Sequence, residues 1–302
     1  MKKPEVLYPS VGLLLFIGVA IVFSGFINKT WAQKTGPAAK LITPTGSRAA
    51  ANTSARFARA AAENSRLRSA LTWDFSGKRQ TGWNIYVPLI SHTIGTEGEP
   101  DSPEFANAIA AWQTKMGIDG SGVIDNATMV AFVGYWQSKR LFKFGYPPAD
   151  QLVMAPISDF YDPTREEPLR QLDLQTYAAY KRMVAAAEKE ASLTLFTYAT
   201  GEKDPRFMRI VSGYRSQEYQ DSLRKKQPNA GRGALAKMSA HSTGRAIDIF
   251  VGGEPVTTKD PNRLLQVQTP AYKWLVKNAE RFGFVPYFYE PWHWEFVPNA
   301  IN

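Results

Sequence analysis

The chain has 302 residues, a formal net charge of +9 and no cysteine. Without cysteine there is neither a disulfide framework nor a thiolate-ligated metal. The excess charge sits in residues 27–80, where ten Lys/Arg face two Asp/Glu, whereas residues 81–302 hold 24 of each sign. This locates the basicity outside the folded part and argues against a nucleic-acid-binding surface.

In chain order, residues 1–28 come first. Lys2 and Lys3 precede an uncharged stretch from Val6 to Asn28. About 20 apolar residues suffice to cross a bilayer as a helix. The expectation is an uncleaved anchor, and hence a single-pass cell-membrane protein with its remaining chain extracytoplasmic. A cleaved signal, giving a secreted protein, is the alternative. Residues 29–75 read as a basic linker followed by a short Ala-rich helix over 52–71, with Phe57, Ala60, Ala61, Leu67 and Leu71 at helical spacing. The linker is either a solvated tether or a segment lying against anionic headgroups.

Residues 76–146 form the next unit. Ser102 and Pro103 mark a helix start, and Phe105, Ile109, Trp112 and Met116 give a one-sided apolar stripe. A turn-rich connector, Gly117 to Asp125, leads into a second helix at Asn126. This unit resembles the small helical peptidoglycan-binding domains attached to wall hydrolases. His92 stands in a Ser/Thr/Gly-rich stretch and reads as a surface or turn residue.

Residues 147–302 open with a proline-rich connection. A helix is expected over Leu172–Ala191, strands over Leu193–Ala199 and Phe207–Val211, and a helix over Pro270–Phe282. The predicted fold class is α+β: a small mixed catalytic domain with helices against a mostly antiparallel sheet, preceded by a small helical domain and an N-terminal membrane helix.

The chemistry concentrates in two stretches of this last unit. Ser239-Ala-His241-Ser-Thr-Gly244-Arg-Ala246-Ile-Asp248 supplies a His and an Asp, and Glu290-Pro-Trp-His293-Trp-Glu295 supplies a second His and a further carboxylate. Two imidazoles and one carboxylate make a ligand set for catalytic zinc, leaving a fourth position for water. Ala246–Val251 and Tyr287–Val297 read as strands, the latter with Pro291 at an edge or break. Alternation puts Ala246, Asp248 and Phe250 on one face, and His293 and Glu295 share a face of theirs. A third stretch, Val211-Ser-Gly-Tyr-Arg215-Ser-Gln-Glu-Tyr-Gln220, precedes both.

Taken together, Ser-x-Tyr-Arg-like, Ser-x-His-x-x-Gly-x-Ala-x-Asp and Glu-Pro-Trp-His resemble the VanY-type zinc D-alanyl-D-alanine carboxypeptidases over roughly residues 170 to 298. The resemblance implies Zn2+ bound by His241, Asp248 and His293, with Glu290 as the catalytic base. It places Arg215 against the substrate near the scissile carbonyl and Ser239 and Gln220 along the cleft. Trp292 is assigned to the cleft wall. The implied substrates are peptidoglycan stem peptides that lose a terminal D-Ala. An L,D-carboxypeptidase, an endopeptidase on the same substrates and a non-catalytic wall-binding scaffold stay open as alternatives. Some relatives have a second His two residues after the last ligand. Here that position is Glu295, either an acceptor for a ligand imidazole or a plain surface charge.

Overall fold

The structure is a computed structural model that describes residues 45–191, 194–226 and 239–298. Helix α1 (Thr45–Ala70) is longer than its Ala-rich pattern predicts. It lays Phe57, Ala60 and Ala61 against Ala106 and Ala110 of α3 (Pro103–Lys115), where small side chains let two backbones approach. Buried Asn64 latches it in place: its amide nitrogen donates to Gly122 O (2.8 Å) and its oxygen accepts from Ile124 N (2.8 Å). Between them come a hairpin, β1 (Thr72–Phe75) with β2 (Lys78–Thr81), and helix α2 (Val87–Ile94), which carries an exposed His92. The hairpin turns through Ser76 and Gly77, both at positive φ, which fits the right-handed twist of the strands it joins.

The expected cap at Ser102 is present, and a second forms at Asp125. Ser102 accepts from Phe105 N at the start of α3, and Asp125 accepts from Thr128 N at the start of α4 (Asn126–Ser138). Phe105, Ile109 and Trp112 are buried, while Met116, the last residue of the predicted stripe, is exposed beyond the helix end.

The remaining elements form a mixed α/β layer. Short β3 (Leu152–Met154) pairs antiparallel with β4 (Gln171–Asp173), which runs straight into α5 (Leu174–Ala191). Asp173 accepts from Thr176 N at that junction. A four-stranded antiparallel sheet follows, in the order β5-β6-β8-β7. Its strands are β5 (Ile210–Ser212), β6 (Ala246–Ile249), β7 (Phe284–Pro286) and β8 (His293–Phe296). Helices α6 (Gln217–Lys226), α7 (Asp260–Gln268) and α8 (Pro270–Asn278) complete the eight α-helices among the described residues.

Four strand expectations change. The strand expected over 207–211 starts only at Ile210, as β5. Residues 194–199 form turns with one isolated bridge, Thr197 to Lys203, because Thr194 N and Leu195 N donate back to Ala191 O at the end of α5. The expected strand over 287–297 is cut to β8. Pro291 has no N–H for a ladder, and Glu290 N instead donates to Tyr287 O in a tight turn. The expected strand at 246–251 stops at Ile249.

The core is continuous across the helical segment and the sheet. Phe288 is its keystone: its ring lies 4.7 Å from Phe75, 5.7 Å from Tyr86 and 5.7 Å from Trp136 by ring centroids. Arg263, almost fully buried, donates to the Tyr86 hydroxyl (2.7 Å) and covers the Tyr289 ring at 4.3 Å. The turn at 287–292 is thereby wedged into aromatic residues from far upstream.

The expected single-pass membrane topology needs correction. Among the described residues no helix is long and apolar enough to cross a membrane. The 1–28 segment on which that expectation rests lies outside the described residues, as does the linker up to residue 44.

One glycine fixes how the sheet meets β4. Gly244 sits at φ 71°, and a Cβ there would come within 2.7 Å of Asp173 N, whose hydrogen bond to Gly244 O (3.0 Å) holds the two segments together. Gly244→Ala is expected to cost about 2 kcal/mol, combining left-handed strain with that clash. Chemical denaturation of the metal-free protein measures it.

Candidate metal centre

The site is assembled by strand register. Asp248 on β6 lies directly opposite His293 on β8, and on its other side opposite Ser212 on β5. Cross-strand neighbours lie within about 5.5 Å, so pairing alone brings a carboxylate and an imidazole together. His241 arrives differently. It sits in a 3-10 turn, Ala240–Thr243, which Gly244 ends in the left-handed conformation. The turn folds back so that His241 faces Asp248 seven residues later.

The three side chains are almost fully buried and offer one ligand atom each, all within 4.8 Å of one another. His241 Nε2 is 3.3 Å from Asp248 Oδ1, and His293 Nδ1 is 2.9 Å from the same oxygen. The outer nitrogens are committed elsewhere. His241 Nδ1–H donates to Gly213 O (2.8 Å) and His293 Nε2–H donates to Glu295 Oε1 (3.2 Å). A carbonyl and a carboxylate only accept, so these bonds place a proton on His241 Nδ1 and on His293 Nε2 and turn the other nitrogen of each ring toward Asp248. Once His293 gives up the Nδ1 proton it shares with Asp248, two imidazoles and a carboxylate so arranged fit a divalent metal ion that takes nitrogen and oxygen ligands.

Buried charge sets the electrostatics. Burial, with Arg215 adding to it, holds His241 down to about 4. For His293 burial opposes the charged ring, but hydrogen bonds to Asp248 and Glu295 outweigh it and push the ring up to about 9. Burial would also raise Asp248, yet the facing His241 and His293 rings hold it far below the usual carboxylate range. Its second oxygen, Oδ2, meets Arg215 Nη2 at 3.3 Å. Arg215 also lies on Ser212 Oγ and is largely buried. It therefore forms an ion pair with a candidate ligand, the geometry that orients Asp248 Oδ1 inward.

Glu290 is half-buried in the turn before β8, and His293 N donates to its carbonyl (2.9 Å). Burial raises its carboxyl, against the opposing pull of His293, Arg140 and Arg215. A carboxyl displaced upward beside a metal cluster is suited to shuttle a proton.

The other predicted residues are placed as follows. Gln220 is buried on α6. Ser239 is half-buried before the 3-10 turn, where its carbonyl accepts from Ser242 N and Oγ. Trp292 is buried within the hydrophobic core cluster, and its carbonyl accepts from Ile249 N. Glu295 is fully buried and is the acceptor for His293, not a surface charge.

Sequence reading misses Gly213, whose carbonyl holds His241, and Arg165, a half-buried cation close enough to influence Asp248 and Arg215. It also misses Arg140, which meets Glu295 across 155 positions. Gly213 lies within the Val211–Gln220 stretch, but its residue type does not show what its carbonyl holds; no local pattern marks Arg165 or Arg140, because each acts through a contact that only folding creates.

Comparison with known families finds one match in this region, to the model described as VanY, D-alanyl-D-alanine carboxypeptidase, over residues 170–299. No curated protein matches the chain. The matched span contains β4 and every element from there to β8, including His241, Asp248, Glu290 and His293. The cluster and the adjacent carboxyl thus lie inside the span, residues 170–299, that matches the model of the VanY D-alanyl-D-alanine carboxypeptidase family.

Proposed function

We propose that the protein is a zinc-dependent D-alanyl-D-alanine carboxypeptidase that trims the terminal D-Ala from peptidoglycan stem peptides. The observation that supports this most directly is the buried His241, Asp248, His293 cluster with Glu290 beside it, inside a VanY domain. Zn2+ held by His241 Nε2, Asp248 Oδ1 and His293 Nδ1 would supply Lewis acidity that polarises a peptide carbonyl and acidifies water.

The protein's own groups do the remaining work. Glu290 takes the proton from the attacking water and passes it to the departing amine nitrogen of D-Ala. Its raised proton affinity favours the first transfer. Arg215 steadies Asp248 and keeps its positive charge beside the oxygen on which negative charge develops. Glu295 and Gly213 O keep each imidazole in the tautomer that binding requires. Gln220 and Ser239 contribute polar groups to the substrate side. In this reading the helical segment 76–146 serves as the wall-binding module and raises the local concentration of polymer ends.

Two outcomes are expected. In mass spectrometry of stem peptides, the zinc-loaded protein removes one alanine from the pentapeptide and leaves the tetrapeptide intact. Glu290→Ala lowers that rate by about 10²–10⁴-fold while zinc stoichiometry stays at one. Cleavage of the tetrapeptide instead would move the assignment to L,D specificity, and an unchanged rate in Glu290→Ala would refute the role of the base.

Metal binding is expected to release a proton. At pH 7 His293, pushed up to about 9, is charged, whereas His241, held at about 4, is neutral. Zinc needs the Nδ1 lone pair of His293, so binding expels about one proton there. Apparent affinity then rises about tenfold per pH unit between pH 7 and 9 and levels off above that. Calorimetric titration in buffers of different ionisation enthalpy counts the proton directly.

A further inference from the structure

Most of the polar framework of the cluster lies inside the family domain, but one arm comes from outside it. Helix α4 ends at Ser138, and the chain that leaves it carries Arg140 and Leu141 to the edge of the sheet. Arg140 places both Nε (3.1 Å) and Nη2 on Glu295 Oε1, and Leu141 N donates to Glu295 Oε2 (2.9 Å). The third nitrogen, Nη1, donates to Gln137 Oε1 (2.9 Å). The guanidinium also lies 3.8 Å from the centroid of the Tyr287 ring, and Tyr287 N donates to His293 O (3.0 Å). Every face of the Arg140 head is thus specified, which is the mark of a built position rather than a passing surface pair.

Glu295 needs this arm. It is fully buried and accepts from His293 Nε2–H at one oxygen, so it must be both ionised and held in orientation. A buried carboxylate without a cation is strongly disfavoured and rotates out of its site. That rotation removes the acceptor that fixes the His293 ring. The same turn is clamped from the same side, since Phe288 inserts among Phe75, Tyr86 and Trp136.

We propose that Arg140 is a positioning residue of the metal centre: the helical segment upstream of the VanY domain completes the outer shell of the site through Arg140 and Glu295 to His293. The segment is then a working part of the peptidase, whatever else it binds. This inference rests on the metal reading of His241, Asp248 and His293.

The test uses the full chain and two readouts. The first needs no metal. Only three histidines are present, so the imidazole 1H–15N spectrum is readily assigned. The His293 Nε2–H is expected as a slowly exchanging signal in the parent protein and is expected to vanish in Arg140→Gln, a neutral variant close in length. The second readout is Zn2+ affinity by competition with a chelating dye. Arg140→Gln and Glu295→Gln are each expected to weaken it about 10–100-fold. Arg140→Lys, which restores the cation without the fork, is expected to recover part of the loss. In the double variant the two losses are expected not to add, because both cut one link.

Unchanged imidazole signal and unchanged zinc affinity in Arg140→Gln would overturn the inference while leaving the carboxypeptidase reading in place. Fully additive losses would overturn it too, since Arg140 would then act by a route other than Glu295. Conversely, a parent protein that binds no zinc but loses the His293 signal in Arg140→Gln would uphold the positioning role and overturn the zinc reading.

Discussion

A single buried carboxylate organises this structure. Asp248 sits almost without solvent exposure between two imidazoles and a guanidinium. An isolated carboxylate in such a place would be too costly to keep ionised. Three partners offset that cost: His241 and His293 share its inner oxygen, and Arg215 takes the outer one. Removing any partner leaves charge uncompensated, and losses of about 3–5 kcal/mol are usual when one side of a buried pair is deleted. The same constraint that stabilises the metal-free cluster also leaves a site ready for a cation, because a divalent ion can replace the proton that His293 now shares with Asp248.

The sheet exists in a form that permits this convergence. Antiparallel pairing of β5, β6 and β8 sets Ser212, Asp248 and His293 in one row across the strands. β4 then seats the two loops that enter the row. Tyr214 N donates to Gln171 O and Asp173 N donates to Gly244 O, while a Cβ at Gly213 or Gly244 would collide with that strand. Gly213 O can approach His241 because the backbone lies so close. Metal geometry and backbone packing are here the same problem, and glycine solves it by having no side chain.

The helical segment is joined to this centre by chemistry as well as by packing. Arg140 and Leu141 hold Glu295, and the aromatic layer around Phe288 holds the turn that presents Glu290. Lys139 adds an ion pair to Glu280, and Lys277 reaches back to Glu97, but those pairs are partly exposed and contribute little. The energetic weight lies in the buried contacts, and they converge on the strand that carries His293.

Sequence alone determined which residues are candidates. With three histidines in the chain, the spacing of His241, Gly244 and Asp248 and the run from Glu290 to His293 single out a candidate ligand set and a neighbouring carboxylate, since metal ligation demands particular atoms and these are visible as residue types. The helix cap at Ser102 was equally legible, being a local hydrogen bond. Tertiary structure decided the rest. Glu295 looked as much like a surface charge as an acceptor until β8 turned it inward. Arg140 and Arg165 had no local signature whatever. Their roles depend on distances between segments far apart in sequence, and such distances are set by the packing of a shared core, which no short pattern records.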